Sequence, residues 1–529
     1  MTWTSAQGHL EGYESGKIRW ELVPYTRGRG LDLGCGPVKA FPHFIGVDAN
    51  GDYCKVNHAL RPDLAGDCAK LDMFGDASMD FVFSSHLLEH MEDYRAALKE
   101  WWRLIRPGGA LVLYLPHRDL YPKKGEPGSN PDHKHDFAPA DIINAMLRVG
   151  SWDLVEDQVR NDDDEYSFFQ VYVKLTGKRF HYSCQTPKPK KTCAVIRYGA
   201  FGDAIQTSSI FEGLKKQGYH VTLYTAPGAF DVLKEEPHID RFVVQDSDQV
   251  PNIWLEDYWD YLAKRYDRFI NLSESIEGTL LALPGRANHR WPHEVRHAHL
   301  NRNYVQWTHE LAQVPYHGTG ARFVASSFER AWAKEQRAKM GPFCVLWSLA
   351  GSAAHKAWPY MDSVIARLMI ETNAHVVLVG GPECKLLEAG WDKEPRVHCT
   401  SGVWSIRQSM AFIAESDLVI GTETGVLNAA AFEPVPKIIT LSHSSVENLT
   451  RDWTNTVSLV ARHTPCYPCH QMHYSFKHCP RDLDLDCVAC KEERCEVHTG
   501  TAKCAADIPA TEMWDAIAQV INRVERQSA

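Results

Sequence analysis

The 529-residue chain has no run approaching the ~18 consecutive apolar residues of a membrane-crossing helix. Its opening, MTWTSAQGHLEGYESG, lacks the basic-then-apolar order of a secretory leader, so a cytoplasmic protein is expected. Positive charge is in deficit: 57 Lys and Arg face 67 Asp and Glu, a net charge of -10. That balance argues against a chain-wide grip on nucleic acid, though a local basic patch such as HRWPHEVRHAHLNR at 289–302 stays compatible with it. Internal repeats and low-complexity tracts are missing too, which excludes solenoid and fibrous classes. What remains is ordinary globular composition, 44% hydrophobic and 23% charged, in a chain too long for one core.

The chain divides by alternation. Over 28–175 short apolar runs (GLDLG, FIGVD, DFVFSS, ALVLYLP) alternate with helical patterns, the signature of a parallel sheet wrapped by helices. The stretch SCQTPKPKKT has no apolar period and reads as a linker. A second alternation starts at Cys193 (AVIRYG, VTLYT, RFVV, RFINL) and a third near Phe343 (FCVLWS, VVLVGG, DLVIG, KIITL), with a helix expected between them at 327–339. The expected boundaries are 1–182, a linker at 183–192, lobes at 193–338 and 339–462, a cysteine-rich module at 463–505 and a terminal helix within 506–529. The fold class is α/β throughout.

In the first part, Leu31-Asp32-Leu33-Gly34-Cys35-Gly36-Pro37 reads as a strand ending in a glycine turn, where the backbone approaches a ligand closely. Gly46-Val47-Asp48 ends the next strand with a carboxylate placed to accept ribose hydroxyls, and Ala65-Gly66-Asp67 adds a further acid. With HLLEHMED and RPGGALVLYLP, these pieces resemble the class I S-adenosylmethionine-dependent methyltransferases over about 150 residues. The resemblance implies that Asp32, Gly34 and Gly36 line the methionine moiety of S-adenosylmethionine, Asp48 the ribose and Asp67 the adenine. Only eleven residues separate Gly36 from Asp48, so a loop or single turn is expected where the family carries a helix. His86, His90, His133 and His135 are the candidates for a methyl-transfer base. In the family, the counterparts of Glu89 and His90 are more often helix-packing residues.

In the second part, the run Val195 to Thr207 (VIRYGAFGDAIQT) brings a strand into a glycine-bounded turn with Asp203 opening a helix. Taken alone, Gly-Asp at such a corner is a helix cap. With YDRFINL, WSLAGSAAHKAWP, VVLVGGPE and DLVIGTETGVLNAAA, in that order, the chain from 193 onward resembles the ADP-heptose-type lipopolysaccharide heptosyltransferases, which have two Rossmann-like lobes (GT-B). The resemblance implies inverting, metal-independent transfer from a nucleotide-diphosphate sugar, ADP-linked in that family, to a hydroxyl acceptor. Asp203 would be the base, Lys356 would neutralise the departing diphosphate, Glu383 would hold the donor ribose, and Thr424 and Gly425 would give backbone N–H groups to the phosphates, with Glu423 beside them in the donor site. Glu423 and Asn428 stand where the family has aspartate and histidine, so the sugar is left open.

Seven of the fifteen cysteines fall between Cys466 and Cys504. The CxxC pairs Cys466/Cys469 and Cys487/Cys490, seventeen residues apart, match a structural zinc pattern; packing cysteines and an iron-sulfur cluster are the alternatives. The reading of the whole is a bifunctional, sugar-modifying transferase acting in glycan or lipopolysaccharide-type assembly. Acceptors of a different kind, a hydroxylated DNA base or a protein, and a scaffold with a degenerate methyltransferase domain are the alternatives.

Overall fold

A computed structural model describes residues 14–36, 38–49, 62–162, 164–273, 292–318, 320–351, 356–470 and 502–528. The chain forms two compact units, Met1–Lys190 with Val244–Tyr261, and Lys191–Val243 with Leu262–Ala529.

The first unit is built on an eight-stranded sheet of β1 (Gly30–Leu33), β2 (Ile45–Asp48), β3 (Leu64–Ala65), β4 (Met79–Ser85), β5 (Ile105–Pro116), β6 (Trp152–Arg160), β7 (Ser167–Lys174) and β8 (Phe180–His181). Their order is β3-β2-β1-β4-β5-β7-β6-β8. β1 to β5 run parallel and β7 is antiparallel to both β5 and β6. β1 and the middle of β4 are buried, as expected for strands covered on both faces. The helix Tyr94–Leu104 is started by Asp93, whose carboxylate accepts the N–H groups of Arg95 and Ala96, and it buries Trp101 and Trp102. Residues 38–44 form turns and bends only, in line with the short spacing from Gly36 to Asp48.

One boundary departs from expectation. Val244–Tyr261 packs in the first unit, although the sequence assigned all of 193–338 to one lobe. The reason is aromatic: Trp254 and Tyr258 lie 6.4 and 5.5 Å from Trp20, ring centre to ring centre, and Trp254 lies 6.1 Å from Phe41. Gln249 Nε2 donates to the Val23 carbonyl at 2.7 Å, and Arg27 meets Asp246 at 2.8 Å.

The second unit holds two sheets. The first comprises β9 (Thr192–Arg197), β10 (His220–Thr225), β11 (Arg241–Val244) and β12 (Arg268–Asn271), in the order β11-β10-β9-β12. The second comprises β13 (Cys344–Ser348), β14 (His375–Val379), β15 (Val397–Cys399), β16 (Leu418–Thr422), β17 (Lys437–Leu441) and β18 (Thr456–Val460), all parallel in the order β15-β14-β13-β16-β17-β18. The expected connecting helix spans Ser327–Arg337; Arg407 makes a two-pronged ion pair with its Glu329, at 2.5 and 2.6 Å. The helix Ala510–Ser528 buries Met513, Ile517 and Val520 against the β13 sheet. Most of the cysteine-rich module, 471–501, lies outside the described residues. Around it, the expected α/β architecture is the observed one: one Rossmann-like sheet followed by two lobes.

Candidate active sites

Each sheet reverses its strand order once among its parallel strands, between β1 and β4, β9 and β12, and β13 and β16. In open α/β sheets ligands bind outside the carboxyl ends of strands at such points, because the crossovers diverge there and leave a crevice. Of the residues singled out from the sequence, Gly34 and Gly36 follow β1, Asp203 follows β9, and Thr424 and Gly425 follow β16.

In the first unit, Gly34 and Gly36 follow β1 with φ of +70° and +56°, values that strain any residue with a Cβ. A Cβ on Gly34 would lie 2.9 Å from Leu87, whereas one on Gly36 would point into open space. The Gly36 N–H donates to Asp48 at 2.9 Å, tying the glycine turn to the end of β2. Asp32 is buried and accepts the Ala40 N–H at 2.8 Å; burial pushes its carboxyl up to about 7 against that hydrogen bond. Asp67 is exposed beyond β3 and caps its own turn through the Ala69 N–H. Two buried carboxylates around a glycine turn facing open space fit the amino group and ribose of S-adenosylmethionine.

Beside this turn, after β4, Glu89 is fully buried in the single helical turn Leu88–His90. Burial pushes its carboxyl up to about 8. His86 Nδ1, His90 Nε2 and His133 Nε2 lie 4.0, 3.9 and 3.9 Å from its Oε1. His86 is also held to Ser167 Oγ at 2.9 Å, and burial lowers it to about 3, so it is a neutral imidazole. His135, the remaining base candidate, points away, its Nε2 2.9 Å from the Met91 carbonyl.

In the second unit, Asp203 lies in the first turn of the helix Phe201–Thr207. One of its oxygens accepts the Ala200 N–H at 2.9 Å; the other accepts the Tyr304 hydroxyl at 3.0 Å and lies 2.8 Å from the buried Arg197 guanidinium. Gly202 and Gly425 let this helix abut the helix Gly425–Ala430: a Cβ on Gly425 would stand 2.7 Å from that of Phe201. Gln206 Nε2 donates to Asn428 at 2.7 Å, and Asn428 donates on to the Thr424 carbonyl at 2.8 Å. Asn428 is thus a buried amide that bonds the two helices together.

Lys356 is buried, and its Nζ donates to the Glu423 carbonyl at 2.9 Å. Glu423 itself faces inward. Its carboxylate accepts from Ser442 N and Oγ, His443 N and Nδ1, and Ser444 N, at 2.5–3.1 Å. Burial raises its pKa; the His443 charge and hydrogen bond, the Lys356 charge and the Ser442 hydroxyl outweigh this and hold it well below the usual range. The side chain thus braces residues 442–444. Thr424 caps the next helix, its Oγ1 3.0 Å from Ser348 Oγ. Glu383 is exposed just after β14.

Cys466 and Cys469 are buried, whereas Cys487 and Cys490 lie outside the described residues. Among the described residues, the group of His, Cys, Asp and Glu side chains close enough to share a metal ion is Glu89, His90 and His133.

The family description "Methyltransferase domain" matches residues 31–113, and "Glycosyltransferase family 9 (heptosyltransferase)" matches 259–479. Over separate stretches the chain is thus similar to a methyltransferase domain and to a glycosyltransferase family 9 domain. A "Probable S-adenosylmethionine-dependent methyltransferase" of Mycolicibacterium smegmatis is 28% identical over 132 residues, 23% of this chain and 50% of that protein. Trans-aconitate 2-methyltransferase of Azoarcus is 28% identical over 96 residues, 16% of this chain and 38% of that protein. The chain thus spans half the length or less of these curated relatives. Among solved structures, the E. coli ADP-heptose lps heptosyltransferase II superposes with a TM-score of 0.42 at 15% identity, covering 63% of this chain and 99% of that one.

Two groups in the glycosyltransferase domain escaped the sequence reading. Arg197 lies inside the VIRYG run, which reads as strand. Tyr304 lies 101 residues from Asp203 and carries no motif. After β4, Glu89 sits in a single helical turn with the His90 and His133 imidazoles 3.9 Å from its carboxylate.

Proposed function

We propose that the chain is a bifunctional transferase of glycan or lipopolysaccharide-type assembly: an inverting glycosyltransferase using a nucleotide-diphosphate sugar, joined to an S-adenosylmethionine-dependent methyltransferase. The observation that carries the first half is the abutment of two helix starts. Asp203 opens one, and Thr424 and Gly425 open the other, with Lys356 bonded to the preceding residue. Asp203 takes the proton of the acceptor hydroxyl. The acceptor oxygen bonds to the anomeric carbon as the bond to the diphosphate breaks, and the released negative charge meets Lys356 and the amides at Thr424 and Gly425. Tyr304 and Arg197 hold the Asp203 carboxylate in one orientation, so no reorganisation is needed when the acceptor arrives. Glu383, exposed beside the same strand ends, is placed to take a ribose hydroxyl.

In the other domain, Asp32 meets the amino group of the cofactor, Asp48 its ribose and Asp67 its adenine, around the turn of Gly34 and Gly36. S-adenosylmethionine supplies the electrophilic methyl group when bound. The full chain incubated with a panel of nucleotide sugars should hydrolyse or transfer one of them. Asp203→Asn should cut transfer by roughly 10²–10⁴-fold while leaving donor affinity within about twofold. Full activity in that variant refutes the assignment of the base.

A further inference from the structure

We propose that Glu89, His90 and His133 form a binding site for one divalent transition-metal cation at the edge of the methyltransferase cleft. Glu89 is fully buried, and neither of its carboxylate oxygens has a hydrogen-bond partner on any other described residue. A buried carboxyl group without partners is costly, and an imidazole hydrogen-bonded to it would stand at about 2.8 Å. Instead the imidazoles stand off at 3.9–4.0 Å, too far to bond the carboxylate directly and at the distance at which an ion can lie between them. The ligand atoms of Glu89, His90 and His133 lie within 4.8 Å of one another. Ligands about 2.1 Å from a tetrahedral metal lie roughly 3.4 Å apart, so closing on an ion asks each side chain to move by roughly 0.8 Å or less.

The backbone holds the cluster together before any ion arrives. The Glu89 carbonyl accepts the N–H groups of Lys134 at 2.7 Å and His135 at 3.1 Å, which clasps the loop carrying His133 against the Leu88–His90 turn. The His90 and His133 rings lie 4.8 Å apart and nearly perpendicular, and Tyr121 packs on His133 at 5.2 Å. Two imidazoles and one carboxylate suit zinc, manganese, iron or cobalt better than magnesium or calcium, and they leave coordination positions open for an outside ligand.

The place fits a use. Leu87 forms the wall against Gly34, so the cluster lies at the carboxyl ends of β1 and β4, where the cofactor would sit. This use rests on the methyl-transfer reading. An acceptor hydroxyl bound to the cation loses its proton to water; its oxygen forms the new bond to the methyl carbon, and the carbon–sulfur bond breaks to leave a neutral thioether. Such a cation would supply that activation with His90 and His133 acting as its ligands rather than as the base.

The test uses the full chain stripped with a chelator and titrated with Mn(II), which favours nitrogen and oxygen ligands over the cysteine thiolates elsewhere in the chain. One stoichiometric site is expected by calorimetry. Glu89→Gln and His133→Ala should each weaken it by at least about tenfold and remove the Mn(II)-induced rise in Tm, while circular dichroism stays unchanged. Cys466→Ser/Cys469→Ser should bind Mn(II) as the parent does. Co(II) bound at this site should show no thiolate charge-transfer band. The proposal is overturned if Mn(II), Co(II) and Zn(II) all fail to bind stoichiometrically, or if binding is the same in the parent, Glu89→Gln and His133→Ala. Metal binding without any methyl transfer would count against the methyl-transfer reading alone and uphold the site.

Discussion

Replacing Glu423 tests whether this residue is a brace or a ligand contact. Its carboxylate accepts three backbone N–H groups on one oxygen and the Ser442 hydroxyl and His443 ring on the other, all buried. Glu423→Gln keeps the shape and one acceptor oxygen but removes the charge that strengthens those bonds. A buried hydrogen bond to a charged group contributes about 1.5–3 kcal/mol, so a loss of roughly 2 kcal/mol is expected. Glu423→Ala leaves three backbone N–H groups facing a cavity, and a loss of roughly 4 kcal/mol or more follows.

The pH dependence carries its own sign. A carboxyl held below its unfolded value adds stability above that value and loses it as pH falls. The gap between the parent and Glu423→Gln should therefore be full at pH 7 and close as pH drops below about 4.5. The assay is urea unfolding at pH 7 and pH 4, read by hydrogen exchange over 437–450 so that the second unit is followed by itself. A Glu423→Gln variant within ~0.5 kcal/mol of the parent at pH 7, or a gap indifferent to pH, refutes the brace. Because Lys356 bonds the Glu423 carbonyl, transfer activity should fall with the stability.

Gly425→Val should cost about 1–3 kcal/mol and reduce transfer, since its Cβ would stand 2.7 Å from that of Phe201; thermal unfolding and initial rates check this together. Asn428→Leu should leave Gln206 without its partner and cost about 1–3 kcal/mol, measured by urea unfolding. For the methyltransferase domain, Asp32 has a raised pKa of about 7, and pairing with a cationic amino group lowers it. S-adenosylmethionine affinity should therefore fall as pH drops below about 7, toward tenfold per pH unit, and calorimetry in two buffers should show proton release on binding. An affinity that is flat from pH 5 to pH 8 removes Asp32 from the cofactor site.

The sheets were legible because their inner strands are short continuous apolar runs bounded by glycine or acid, a pattern set by burial on both faces. The positions of Asp32 and Asp48 at strand ends, and of Asp203 and Glu383 just beyond them, were legible for the same reason. What the side chains do there was less so. Glu423 ends β16 as a ligand-binding acid would, and only the turn at Ser442 to Ser444, folded back from β17, shows that it points inward. Tyr304 meets Asp203 through tertiary packing of distant elements, which leaves no local period to read. Glu89 and His90 stood in a helical-looking run, and His133 joins them from a loop more than forty residues on. Asn428 read as a lost imidazole; its bond to Gln206 gives it a different task.

The excursion of Val244–Tyr261 has a practical consequence. The chain leaves the methyltransferase unit after Lys190 and returns for eighteen residues that cover Trp20 and Phe41. No single cut separates the two units. A fragment ending at residue 190 exposes a sticky aromatic face, and the remainder carries an orphaned strap of tryptophan and tyrosine. Whoever divides this protein for separate assays must graft the strap onto the first fragment, or study the pair as one inheritance.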